Sequence, residues 1–286
     1  MTKRLSDVEV ERYRQDGVLF PIRAFDEGEA GSLRGRLEAL AQAEDGKLSP
    51  RTNHQPHILL PWLNELVRDA RILDAVEDVL GPNILCWGSG FFWKPAHDPA
   101  YISWHQDSTF WGLSHADIVT AWIAFTPSVP ESGCMQVVPG THKREQVAHK
   151  DTFAENNLLS RGQEIAVEVE EHEKVNVVLE PGEMSLHHVR TFHGSEPNRA
   201  GFPRIGYAVR YLPTYIRQTR GIVDSATLVR GTDEYRHFEP EPRPRVDFDP
   251  ECVAFHKIQL ERATQILYAG AEKVKPFDGP KQSAGM

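Results

Sequence analysis

The chain has 286 residues, 40% of them apolar and 26% charged, with a net charge of −9. That length suits one large domain, and the acidic balance argues against nucleic-acid or anionic-membrane partners. There is no run of 18 apolar residues to cross a membrane, and Cys86, Cys134 and Cys252 are scattered, with no Cys-x-x-Cys metal site. The thiols read as reduced, and "MTKRLSDVEVERYRQDG" lacks a leader's apolar centre, so a cytoplasmic protein is expected.

Residues 1–80 read as a helical buttress. Ser6 and Glu9 have capping-box spacing at the start of the first helix. "EGEAGSLRGRLEALAQAE" and "LNELVRDARILDAVEDVLG" carry apolar stripes of helical period, and Gly81-Pro82 ends the second. Between them "KLSPRTNHQPHILLPW" reads as a polar loop, and its Asn53 and His54 are candidates for a substrate lid.

From residue 83 the texture changes. "NILCWGSGFFWKP", "DIVTAWIAF", "MQVVPG", "EIAVEVE", "KVNVVL", "EMSLHHVRTFHG" and "RIGYAVRYLP" are short β-branched or aromatic runs separated by turn residues. Many strands without intervening helices predict a β-barrel or sandwich core over 83–215. Residues 216–286 read as an irregular segment, a terminal helix in "ECVAFHKIQLERATQILYAG" and a loose tail, "KVKPFDGPKQSAGM". The expectation is a single domain over 1–286, mainly β with flanking helices.

Four His-x-Asp/Glu pairs occur: His105/Asp107, His115/Asp117, His149/Asp151 and His237/Glu239. In extended backbone, residues i and i+2 point to one face, so such a pair can converge on one metal ion. Only His105/Asp107 follows an aromatic β-type run, "YISW"; His149/Asp151 and His237/Glu239 sit in charged stretches expected to be solvated. A third ligand is available from His187, His188 or His193. Two histidines and a carboxylate make a facial triad that leaves three positions open on Fe(II). Arg204 lies eleven residues after His193 and opens a strand on which Arg204, Gly206, Ala208 and Arg210 share one face. A guanidinium grips a carboxylate with two prongs. His188 has Arg199 at the same spacing, but in a turn, so the His193/Arg204 pair is preferred.

With "WHQD", "GCMQVVPGTHK", "PGEMSLHHVRTFHGSEPN" and "RIGYAVRY" in this order, the chain resembles the phytanoyl-CoA dioxygenase family of Fe(II)/2-oxoglutarate oxygenases from about residue 8 to 215. The resemblance implies a double-stranded β-helix (jelly-roll, cupin-like) core. It implies iron on His105, Asp107 and His193, and 2-oxoglutarate held by Arg204 and Ser195, with Trp122 lining the pocket. It also implies O2-dependent hydroxylation of a C–H bond with release of succinate and CO2. Halogenating relatives carry Ala or Gly in place of the carboxylate, so Asp107 points to hydroxylation. Lys94, Gln136, Arg210, Asn53 and His54 are candidate substrate contacts. The substrate is expected to be a small, polar molecule, since no basic cluster suggests a CoA phosphate site, and the chain to be a monomer or homodimer. The competing reading is a cupin-like isomerase or hydrolase that uses the same triad without 2-oxoglutarate.

Overall fold

The computed structural model of the chain describes residues 3–274 and Phe277. In chain order come α1 (Asp7–Asp16), β1 (Val18–Arg23), α2 (Glu27–Ala43), α3 (Pro50–Asn53), α4 (Pro61–Leu66) and α5 (Ala70–Leu80). Then follow β2 (Ile84–Lys94), β3 (Ile102–His105), β4 (Val119–Ala124), β5 (Met135–Val138), β6 (His149–Asp151), β7 (Gln163–Ile165), β8 (Val175–Val177), β9 (Glu183–His188), β10 (Phe192–Ser195), β11 (Arg204–Pro213), β12 (Ser225–Arg230) and β13 (Glu239–Pro240), and finally α6 (Pro250–Leu267). The larger sheet runs β1-β9-β4-β11-β2-β12-β13 and the smaller β3-β10-β5-β8, with β6 and β7 forming a separate hairpin. The two sheets face each other across a cavity lined from both. This is the two-sheet form of the jelly-roll class, and the sheets do not close into one barrel.

Strand alternation divides the sequence between two interiors. On β4, Val119, Ala121 and Ile123 enter the main apolar core, while Thr120 and Trp122 face the cavity. On β11, Ile205, Tyr207, Val209 and Tyr211 enter the same core, while Arg204, Ala208 and Arg210 line the cavity. Helices supply the other half of that core through Leu37, Leu63, Ile72, Leu73 and Val76. The helical layer thus seals the outer face of the larger sheet and leaves its inner face for chemistry. The helix ends follow the sequence signals: Ser6 and Glu9 form the expected capping box, and Gly81 caps α5.

Three expectations need correction. The first 80 residues are not all helical, because "VLFPIR" forms β1 and pairs with β9. Gly17 ends α1 in the left-handed region and Asp26 caps α2, so the stretch between them is released from helix, and Val18, Leu19 and Ile22 bury in the sheet. The larger sheet also reaches beyond residue 215, since β12 pairs with β2. The segment 47–62 is not a polar lid: it contains α3 and the start of α4, and Thr52, Gln55, His57, Ile58, Leu59 and Leu60 are buried. The loose tail expected at the C-terminus falls largely outside the described residues. Among those described, no helix is long and apolar enough to cross a membrane.

Candidate metal centre and its cavity

His105 ends β3 and Asp107 opens a short 3-10 turn, with the intervening Gln106 extended at φ −111° and ψ 133°. That one extended residue keeps the two ligand side chains on the same face. β10 lies antiparallel to β3 with His193 directly opposite His105, which places the two imidazole centroids 4.0 Å apart. The available ligand atoms of His105, Asp107 and His193 all lie within 4.8 Å of one another. Asp107 Oδ1 is 3.4 Å from His105 Nε2 and 3.9 Å from His193 Nε2.

Hydrogen bonds fix what these groups can do. His105 Nδ1 donates to the Ser103 carbonyl and His193 Nδ1 to the Thr191 carbonyl, each at 2.9 Å. A carbonyl only accepts, so the ring proton sits on Nδ1 and Nε2 presents a bare lone pair. Burial, reinforced by nearby His105, holds His193 well below the usual imidazole range. Burial alone would raise Asp107, but its bond to His105 and the proximity of His193 hold it well below the usual carboxylate range. The two Nε2 atoms and the carboxylate therefore aim lone pairs at one point. A divalent cation is what makes that convergence favourable.

The cavity runs from this triad to Arg204. Arg204 is 1% exposed, and its Nε and Nη2 are buried without a hydrogen-bond partner. Burial lowers its pKa to about 10. Its Cζ sits 5.3 Å from the Trp122 ring centroid. Opposite Arg204 in register is the fully buried Lys94, whose Nζ donates to Ser195 Oγ at 2.7 Å and to the carbonyl of Glu196. Burial, aided by the Arg204 charge, lowers Lys94 to about 7. An unpaired buried cation costs several kcal/mol. An oxyanion at this end of the cavity would relieve that cost, and its distal position suits a diacid whose other end is on the metal.

The structure thus brings together His105, Asp107, His193, Arg204, Ser195, Trp122 and Arg210 around one cavity, with Lys94 behind Ser195. It does not bring Gln136 there: that side chain bonds Asn176 Oδ1 on the opposite face of its strand, where alternation puts it once Met135 faces inward. Asn53 clamps the backbone of β2, accepting from Phe91 N and donating to Phe91 O. His54 offers its carbonyl to His256, and neither Asn53 nor His54 lines the cavity. Arg199 is exposed, and His188 turns away to accept from Arg190 N.

Sequence reasoning missed Gln106 and His149. Gln106 is fully buried: its Oε1 accepts from Val147 N and Gln146 Nε2, its Nε2 donates to Arg190 O, and its own N–H donates to His149 Nε2. His149 is therefore not a solvated loop residue but part of β6, half-buried against the ligand strand. His187 was weighed only as a substitute ligand. It lines the cavity with Nε2 3.9 Å from Asp107 Oδ2, and burial lowers it to about 4.

Fold and donor set together define a cupin-like protein with a His–Asp–His site suited to one metal ion. Residues 13–206 match the family described as phytanoyl-CoA dioxygenase (PhyH), and the chain belongs to that family. A probable alpha-ketoglutarate-dependent hypophosphite dioxygenase of Stutzerimonas stutzeri is 34% identical over 172 residues, 58% of this chain and 59% of that protein. An ectoine dioxygenase of Bordetella parapertussis is 26% identical over 155 residues, 49% of this chain and 50% of that protein. The matched stretches thus span little more than half of these relatives' lengths. Among solved structures, the non-heme monooxygenase ThoJ superposes with a TM-score of 0.80 at 31% identity, over 90% of this chain and 96% of that one.

Proposed function

We propose that the protein is an Fe(II)- and 2-oxoglutarate-dependent dioxygenase that hydroxylates a C–H bond of a small molecule. One observation carries the reading: a His–Asp–His donor set and a buried, unpartnered Arg204 share a single cavity. His105, Asp107 and His193 would hold the iron. Arg204 would take the distal carboxylate of 2-oxoglutarate, with the Ser195 hydroxyl beside it and Trp122 as the wall. When bound, the iron supplies oxygen activation coupled to conversion of 2-oxoglutarate to succinate and CO2, one oxygen atom of O2 going to the substrate and the other to succinate.

The chain's own groups prepare that chemistry. The carbonyls of Ser103 and Thr191 hold both imidazoles in the ligating tautomer. Lys94 orients the Ser195 hydroxyl by donating to its oxygen, leaving the hydroxyl proton free to face a carboxylate. Trp122 and Phe92 supply apolar wall beside Arg204. The isomerase or hydrolase alternative leaves Arg204 without a role. The relatives named above are dioxygenases of hypophosphite and ectoine, consistent with a small-molecule substrate here.

The test is succinate release over a panel of small metabolites. Turnover should require Fe(II), O2 and 2-oxoglutarate together, and Arg204→Met should raise the KM for 2-oxoglutarate roughly a hundredfold, the worth of about 3 kcal/mol from a two-pronged charged contact. Substrate conversion with Zn(II) and no 2-oxoglutarate would refute the reading.

A further inference from the structure

Arg204 is not the only cation in the cavity. Six residues further along β11, Arg210 lines the same space near Asp107, and its Nε is buried without a partner. It lies over Gly88 and Gly90 of β2. A Cβ on Gly88 would stand 3.8 Å from Arg210 Cδ, and one on Gly90 3.9 Å from Nη1. The Arg210 side chain thus runs beside these two glycines, with the rings of Phe92 and Trp111 5.8 and 5.9 Å from Cζ.

Register extends this observation across two more strands. Arg210 is opposite Thr120 on β4, and Thr120 is opposite His187 on β9. Thr120 and His187 are each 2% exposed, and both line the cavity. Thr120 Oγ1 and His187 Nδ1 are also buried without hydrogen-bond partners. Three neighbouring strands therefore carry, side by side, a guanidinium Nε, a hydroxyl and an imidazole Nδ1 that are buried without partners, on residues lining the cavity of the metal donor set. Buried polar groups in native proteins are normally partnered by protein, water or ligand, and three unpartnered ones lining one cavity point to a ligand there.

We propose that Arg210, Thr120 and His187 form a second anion subsite, which holds an oxyanion of the substrate: a carboxylate or a phosphorus oxyacid group. This rests on the oxygenase reading above. With its distal carboxylate on Arg204 and its keto acid on the metal, 2-oxoglutarate has partners for both ends. The row at Arg210 is then left for an oxyanion that only the substrate brings. A planar cation, a hydroxyl donor and an imidazole N–H suit a group with at least two oxygens. Anchoring the substrate there places it next to Asp107 and the open side of the metal site.

The test uses the full chain loaded with Ni(II) and 2-oxoglutarate, titrated calorimetrically with sodium phosphite and, separately, with sodium propionate. The wild type should bind at least one, and the preferred anion tells a phosphorus oxyacid from a carboxylate. Loss of one charge-assisted contact predicts roughly tenfold weaker anion binding in Arg210→Met, with Arg210→Lys between it and wild type. Loss of a neutral hydrogen bond predicts roughly threefold weaker binding in Thr120→Val. The affinity for 2-oxoglutarate should stay within about threefold in Arg210→Met but fall roughly a hundredfold in Arg204→Met. Unchanged Ni(II) stoichiometry and melting temperature establish that the variants fold. Equal loss of 2-oxoglutarate affinity in the two arginine variants would overturn the proposal, assigning Arg210 to the co-substrate. Anion affinity unmoved by Arg210→Met, or no binding of either anion to wild type, would also overturn it. Failure of the oxygenase reading looks different: 2-oxoglutarate then does not bind wild type, while the anion titration still reports on Arg210 in the enzyme loaded with Ni(II) alone.

Discussion

A Cβ at position 206 would meet Trp122 Cζ2 at 1.9 Å and Cε2 at 2.3 Å. Only glycine there lets the indole lie against β11 and form the wall beneath Arg204. Gly206→Ala should drive the ring into the space proposed for the diacid. Overpacking of this kind costs about 1–3 kcal/mol, or roughly 5–150-fold in 2-oxoglutarate affinity, with Fe(II) stoichiometry retained. Equilibrium titration of both ligands checks this, and equal weakening of metal and diacid would count against it. Lys94 gives a pH signature. Its folded value is about 7 against an ordinary 10.5, because burial and the Arg204 charge disfavour the ammonium. Between those values the unfolded chain binds more protons, so Lys94 makes stability increase with pH across that window. Urea midpoints of wild type should therefore gain on those of Lys94→Met from pH 7 to about 9.5. A constant difference would contradict the burial of a charged lysine. The roles of these two residues differ in legibility. Arg204 could be found from its spacing after His193, whereas nothing local to Gly206 reveals the tryptophan packed on it from another strand.

At the scale of elements, the candidate metal ligands depend on what holds the end of β3. Asp107 N donates to Val189 O at 3.0 Å, and Gln106 ties the same turn to the 146–149 segment and to Arg190. This outer brace sets the direction of the carboxylate without touching the metal site. Gln106→Ala should weaken Co(II) binding roughly tenfold, the usual scale for losing a group that orients a ligand. It should also cost about 1–3 kcal/mol of stability through the polar groups left unpaired. The Co(II) absorption spectrum followed during titration reads the first, and unaltered affinity would remove Gln106 as a positioning residue. The sequence shows why His105 and Asp107 share a face, since alternation is local. It hides the brace, because an odd residue in a His-x-Asp strand looks solvent-facing until the β6–β7 hairpin is known to cover it. β1 was hidden for a similar reason: six residues with a proline between two capped helices carry little periodic signal, and only pairing with β9 makes them a strand.

For the molecule as a whole, the order of helices followed by strands was enough to place a helical layer against a β core. It could not say that β1 and β12 extend the larger sheet from outside the predicted boundaries, because such pairings join residues more than a hundred positions apart. The division of labour between the two faces follows from alternation along β4 and β11: one face packs under the helices, the other carries Arg204, Trp122, Thr120 and Arg210. The smaller sheet contributes His105 and His193 from adjacent strands, so the cavity exists only where the two sheets meet. The central claim is that this junction gathers one iron and one diacid. Crystals grown anaerobically with Fe(II) and 2-oxoglutarate, with the iron located by its anomalous scattering, test it most directly. The account predicts one iron per chain at about 2 Å from His105 Nε2, an Asp107 oxygen and His193 Nε2, with the distal carboxylate on Arg204. Iron bound through His187 in place of His193, or a diacid lying away from Arg204, would contradict it.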